Sequence, residues 1–195
     1  MRFENRGMMN RVITIVTFCL LLAAVSNAQT DHYGKTDTLY ADVEKTGEDS
    51  WTITISLTND EYIGGMSIPL KMNCGTVKIV GDSAIYTGGR VDHFTMKIFR
   101  PDTAIQCITL GMVANLGPTN KTLAPGSGRL VTIYVSSLDG SPMEKLVVDT
   151  ATTSPSNSLM LVADRIQQTD PPDTIPFGES KNLEIIPVFI IRSPK

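Results

Sequence analysis

The stretch SWTITISLT, residues 50–58, puts Trp51, Ile53, Ile55 and Leu57 on one parity and Thr52, Thr54 and Ser56 on the other. An extended chain turns successive side chains to opposite faces, so this alternation builds a strand with one oily side and one wet side. Such a strand must find hydrogen-bonded neighbours and a second layer to cover its oily side. GMSIPLKM repeats the alternation with Met66, Ile68, Leu70 and Met72 facing inward, and HFTMKIF is expected to present Phe94, Met96 and Ile98. AIQCITLGM and RLVTIYVS alternate in the same way, the latter aligning Val131, Ile133 and Val135. With TVKIV, EKLVVDT, LMLVA, NLEIIPVFIIR and an early DTLYADVEK, the chain has nine or ten candidate strands and no convincing amphipathic helix.

The breaks between these runs are rich in Gly, Asn, Asp, Pro and Ser, as in GDS, RPDT, LDGSP and TSPSNS. Many short one-faced strands separated by such turns predict an all-β fold, an antiparallel β-sandwich of about nine strands. LTNDEYIGGMSIPLKM, residues 57–72, changes the inward parity from odd at Leu57 to even at Met66. The residues between must reverse the chain or carry it to the other sheet. Gly64 and Gly65 suit a positive φ or a bulge, and Asn59 and Asp60 suit side-chain-to-backbone turn bonds. Pro69 lacks a ladder donor, which predicts an edge strand or a local bulge. QQTDPPDTIPFGESKN reads as a loop before the closing strand, and residues 37–195 as one domain.

Residues 1–28 read as a targeting segment. Arg2, Arg6 and Arg11 precede the apolar run VITIVTFCLLLAAV, and SNA ends at Ala28 with the small residues that a signal peptidase reads. Cys19 follows the bulky Phe18, a poor setting for lipid attachment. Cleavage after Ala28 would leave a flexible stretch, 29–36, ahead of the domain. It would also remove three Arg and one Glu, moving the formal net charge from −3 to −5. An exported acidic domain is a poor partner for nucleic acid or anionic membrane, which need clustered Lys and Arg. No later segment is long and apolar enough to insert in a bilayer. Two cysteines remain, Cys74 and Cys107; the exterior permits a disulfide between them, and two inert thiols fit equally well.

Catalytic constellations are scarce. His32 lies near the N-terminus and His93 reads as a surface residue. There is no Gly-x-Ser-x-Gly elbow, no His-Glu-x-x-His pair and no phosphate loop, since a strand follows APGSGRL where a helix would be needed. Asp60, Glu61, Asp82, Asp92, Asp102, Asp139, Asp164 and Asp173 all sit in or beside turns, so turn chemistry accounts for each. TDPPDT lacks the acidic spacing of a calcium loop. No cofactor, metal or catalytic residue is therefore assigned. Trp51 is in phase with the core. Tyr33, Tyr40, Tyr62 and Tyr86 read as loop or strand-end residues, with Tyr62 and Tyr86 the candidates for a contact surface.

WTITISLTNDEYIGGMSIPLKM and LAPGSGRLVTIYVSS, in this order, resemble two features of the cohesin family. These are an early strand running through an Asn-containing turn and Gly into an alternating strand, and a later Gly-led strand, here with Tyr134 where Phe is common. The likeness spans about residues 37–192, and KMNCG replaces the acidic residue that commonly ends the second strand. The resemblance implies a jelly-roll sandwich and a secreted, non-catalytic module. Such a module would hold a dockerin-like or other surface protein at the cell exterior, in a polysaccharide-degrading assembly. The alternative is a carbohydrate-binding module of similar fold, with a polysaccharide as partner.

Overall fold

The alternation of residues 50–58 becomes a strand with Ile53, Ile55 and Leu57 fully buried and Trp51 nearly so. The structure, a computed structural model, describes residues 35–114, 121–153, 157–164 and 183–192. The expected signal segment, residues 29–34 and the polar break 167–182 lie outside the described residues. Within them run β1 (Thr38–Lys45), β2 (Ser50–Asn59), β3 (Ile63–Asn73), β4 (Ile79–Ile85), β5 (Met96–Asp102) and β6 (Cys107–Val113). β7 (Gly126–Ser137), β8 (Val147–Thr150), β9 (Met160–Ala163), β10 (Glu184–Ile185) and β11 (Val188–Arg192) complete the order.

Two sheets form. One has the order β11-β1-β2-β7-β4; the other runs β10-β9-β3-β6-β5, with β8 also paired to β3. The expected β-sandwich is thus present. Its pairs are antiparallel except β1 with β11, which run parallel. The closing segment makes two strands where one was expected. Pro187 supplies no ladder donor, and the chain leaves the six-stranded sheet after Ile185 to enter the other at Val188. No helix among the described residues is long and apolar enough to cross a membrane.

Between the sheets lie fully buried Leu39, Ile53, Ile55, Ile68, Leu70, Leu110 and Ile133. Each such side chain contributes about 1.5–3 kcal/mol by leaving water. At one side β4 packs tightly on the other sheet: a Cβ added to Gly81 would meet Ile108 Cδ1 at 2.9 Å and Phe99 Cζ at 3.0 Å.

The parity change at 57–72 is a crossing between sheets. β2 ends at Asn59, three residues intervene, and β3 begins in the opposite layer. Buried Asn59 donates from Nδ2 to the Glu61 carbonyl at 2.6 Å, as expected of a turn residue. Its Oδ1 accepts from Arg90 Nη1 at 2.8 Å, and the same guanidinium reaches the carbonyls of Leu57, Ala124 and Gly126. One cation from another loop thus ties down the crossing. Beyond it, the β3–β9 register shifts at Gly64, the bulge that the glycines suggested.

Pro69 is not on an edge strand: β3 is central, and the residue is buried. Its carbonyl accepts from Ala151 N, and in an antiparallel ladder its nitrogen faces that same neighbour. The neighbour changes there, from β9 through Ser67 to β8 from Leu70, so the missing donor coincides with a gap between two partners. Cys74 and Cys107 are two free thiols, the first half-buried and the second buried on β6. Burial pushes the Cys107 thiol up, opposed by nearby Lys71.

Candidate interaction face

The outward rows of the six-stranded sheet follow from its register. Gly65 of β3 pairs with Val113 of β6, which pairs with Met96 of β5; on the other side Gly65 pairs with Val162 of β9. The next row runs Met160, Ser67, Gly111, Ile98, and the one after it Pro69, Thr109, Arg100. Inward residues of the same strands, Ile68, Leu110 and Met112, are fully buried, so these rows form the opposite, outer face.

The two ends of this face differ. At the start of β3 it is apolar, with Met96 36% and Ile98 45% exposed and Val113, Val162 and Met160 half-buried around them. Toward the end of β3 it is charged: Asp149 pairs directly with Lys71, Asp102 lies beyond Cys107 in the same row, and Arg100 stands in the row before. The Lys71 ammonium donates to the Ile105 carbonyl. A Cβ on Gly111 would lie 3.5 Å from Ile98 Cβ, so that glycine is roofed by the isoleucine. Gly65 has no such roof. A Cβ there meets nothing nearer than the Met112 carbonyl at 3.5 Å, leaving a low, open spot amid apolar side chains.

Met96 and Ile98 correct one sequence expectation. Phe94 is buried, but it precedes the strand, and β5 begins only at Met96 with the opposite phase. Phe99 then turns toward the core while Met96 and Ile98 face outward. On the edge strand of this sheet the alternation therefore runs with the oily side out.

The residues expected to matter lie elsewhere. Tyr62 is half-buried in the crossing between β2 and β3. Tyr86 packs on the core and donates its hydroxyl to the Ile98 carbonyl at 3.2 Å, capping the open edge of β5; burial pushes its pKa up to about 12. Tyr40, expected near a strand end, is inside β1, under the Arg192 guanidinium at 4.4 Å. Trp51 is core, with Nε1 donating to the Met143 carbonyl at 3.4 Å. His93 is exposed and edge-on to Phe94. His32, Tyr33 and Asp173 fall outside the described residues.

The carboxylates largely serve turns. Asp102 Oδ1 accepts from the amides of Ala104 and Ile105, Asp139 Oδ1 from Ser141, and Asp92 Oδ2 from Gly88. Among the described residues, one group could hold a metal ion: Asp37, Asp60 and Glu61, whose oxygens lie within 4.8 Å of one another. Arg90 already places positive charge beside Asp37. Burial lowers the arginine's pKa and Asp37 opposes that. Asp60 also accepts from the Lys35 amide at 2.8 Å, consistent with a structural clamp at the crossing.

No family model and no curated protein matches the sequence. Solved structures do. A cohesin of Clostridium thermocellum, OlpA, solved in complex with a dockerin, is similar over 82% of this chain and 100% of its own, with 11% identity and a TM-score of 0.54. The sixth cohesin of scaffoldin B from Acetivibrio cellulolyticus, also solved with a dockerin, is similar over 82% of this chain and 96% of its own, at 8% identity and 0.53. The chain has the cohesin fold. The seventh scaffoldin cohesin of Pseudobacteroides cellulosolvens agrees over 80% of this chain and 94% of its own, at 7% identity and 0.50.

Proposed function

We propose that this cohesin-fold chain is an exported, non-catalytic module that holds a protein partner of the dockerin kind on the outer face of its six-stranded sheet. The observation that carries the reading is the exposed apolar end of that face, with Met96 and Ile98 beside the open Gly65. A clustered apolar surface on an exported protein is costly in water unless something covers it. The charged end, with Arg100, Lys71, Asp102 and Asp149, would fix the partner's orientation. Two of the structurally similar cohesins were solved with dockerins, which supports a protein partner. The basic and then apolar residues 1–28 support export. In a polysaccharide-degrading assembly, the partner would carry the enzyme and this chain the attachment point.

A carbohydrate platform is less well supported. Sugar binding by stacking needs exposed aromatics in a row, whereas Trp51 is in the core, Tyr40 is covered by Arg192, and the exposed Tyr134 has Thr52 and Ser83 as its neighbours.

The test is retention of exported proteins of the source organism on immobilised chain, identified by mass spectrometry and then titrated by calorimetry. The wild type and a Thr54→Arg variant should retain the same protein, and Gly65→Arg should lose it. Equal retention by all three, or by none, would remove this reading.

A further inference from the structure

Aspartate is followed by Ser or Thr six times in this chain, although Ser and Thr are 36 of 195 residues and chance would place only about two or three after the 13 aspartates. Five of the six continue with Ala, Leu or Ile: Asp37-Thr38-Leu39, Asp82-Ser83-Ala84, Asp102-Thr103-Ala104, Asp149-Thr150-Ala151 and Asp173-Thr174-Ile175. If local geometry selected the tripeptide, its aspartate would play one structural part throughout. It does not.

Asp37 is buried at the entry to β1. Asp82 is the extra residue of a bulge in β4, accepting from Ser136 Oγ at 3.0 Å. Asp102 closes a turn through the amides of Ala104 and Ile105. Asp149 lies in the ladder of β8, opposite Lys71. Four settings share one linear pattern and no fold role, which is the mark of a pattern read from outside, along the chain.

The chemistry of the pattern suits a reader. A reader can hold such a tripeptide by its carboxylate, through charge-assisted hydrogen bonds, and by its small or branched apolar third residue. Asp102 and Asp82 are fixed through Oδ1 in a turn and a bulge, so the carboxylate stands ready beside the hydroxyl. We propose that Asp102-Thr103-Ala104 and Asp82-Ser83-Ala84 are acceptor sites for O-linked sugars, with Thr103 and Ser83 the acceptors that the folded chain exposes. Both hydroxyl residues are exposed, whereas Thr38 and Thr150 are half-buried.

In the transfer, the Ser or Thr Oγ attacks the anomeric carbon of an activated sugar. The Oγ–carbon bond forms as the bond from that carbon to a diphosphate leaving group breaks. The hydroxyl proton goes to a base of the transferase, and the electron pair leaves with the diphosphate. A sugar is chosen over a phosphate because acceptors are scattered over the molecule instead of clustered at one switch. The placement also has a physical use. β4 and β5 are edge strands of the two sheets and meet where Tyr86 bonds Ile98. Sugars on Ser83 and Thr103 would shield these open edges from pairing with other chains. Thr103 follows the charged end of the candidate face, so the apolar end stays free.

The full chain, produced in the organism that encodes it, is measured by intact mass and by glycopeptide sequencing with electron-transfer fragmentation. Sugar is expected on Thr103 and Ser83. It should disappear from Thr103 alone in Asp102→Glu and from Ser83 alone in Asp82→Glu, while Asp139→Glu changes neither. An unmodified chain, phosphate in place of sugar, or sugar that persists in those two variants overturns the proposal. The same spectra show whether the chain begins at Gln29; a retained leader counts against export and leaves the sugar result to stand or fall separately.

Discussion

The two outer faces of this sandwich cover one core and obey one alternation, yet they treat water differently. On the five-stranded sheet the outward rows carry hydroxyls and charges that bond one another, set among the exposed apolar residues Ile85, Tyr134 and Ile190. Thr58 and Ser127 hydroxyls lie 2.8 Å apart, Thr54 and Thr132 3.4 Å, and Arg129 Nη1 donates to Thr132 Oγ1 at 3.2 Å. On the six-stranded sheet the rows at the start of β3 carry one hydroxyl, Ser67, among apolar side chains, and Gly65 has no side chain roofing it. Hydroxyls that bond one another need no partner, whereas exposed methyl and thioether groups gain free energy when covered. The contrast teaches that the inward pattern sets the fold, and the outward pattern distinguishes its two surfaces.

The most damaging change acts on the layer that both faces share. Leu110 is fully buried on β6, between the rows of Ile98 and Thr109. Leu110→Ala should cost about 3 kcal/mol, the usual price of a large cavity in a core, read from urea unfolding. The two faces should fail together, so a loss below about 1 kcal/mol would show that the sheets are not closed on a single core. Next in size is Gly65→Arg. It should weaken partner affinity about 100-fold, or about 2.7 kcal/mol, while the unfolding midpoint stays nearly unchanged because a Cβ there makes only an ordinary contact, with the Met112 carbonyl at 3.5 Å. Thr54→Arg on the hydroxyl face should leave affinity within about twofold. Equal losses from the two arginines would erase the distinction between the faces.

The reason the apolar face escaped the sequence lies in β5. The rule that apolar residues face inward holds along β2 from Trp51 to Leu57, along β3 from Met66 to Met72, and for Val131, Ile133 and Val135 of β7, whose Tyr134 faces outward. It fails at Met96 and Ile98 because Phe94, which set the expected phase, is buried ahead of the strand. An edge strand is covered on fewer sides, so its apolar positions need not report the core. Lys97, inward by phase, escapes burial of its charge by sending its ammonium to the carbonyls of Asp92 and Phe94 at 2.6 and 2.9 Å. The crossing was legible for a converse reason. Asn59 and the two glycines act locally, and local turn chemistry is written in adjacent residues. Arg90, which ties the crossing from 31 positions away, carries no local signal. Likewise the parallel pairing of β1 with β11 joins residues at opposite ends of the domain.

Tyr86 offers a smaller effect, at the edge where the two faces meet. Burial pushes its pKa up from 10.0 to about 12, so the neutral phenol is favoured in the folded state. The stability it contributes is complete below pH 10 and is lost as pH rises from 10 toward 12, where the unfolded chain ionises first. Partial exposure screens the effect, leaving about 1 kcal/mol. Tyr86→Phe should remove this alkaline decline, followed by unfolding midpoints and phenolate absorbance across that interval. An unchanged decline would mean that the hydroxyl on Ile98 is solvated and that the β5 edge is open.

The smallest expected effect belongs to the hydroxyl face. Arg192 donates from Nε and Nη2 to the two Asp42 oxygens at 2.7 and 2.5 Å, and the pair joins β11 to β1. This hydrogen bonding raises the arginine's pKa, so the bridge persists across neutral pH. Both side chains are nearly half exposed, at 47% and 41%. Water and salt therefore take up most of the attraction, and a double-mutant cycle of Asp42→Asn and Arg192→Gln should give a coupling of about 0.5 kcal/mol that fades in high salt. A coupling above about 2 kcal/mol would mean that this face holds a desolvated ion pair, and with it a reason of its own to be covered. Because the guanidinium also lies over Tyr40, the Arg192→Gln variant alone should cost slightly more than the pair term.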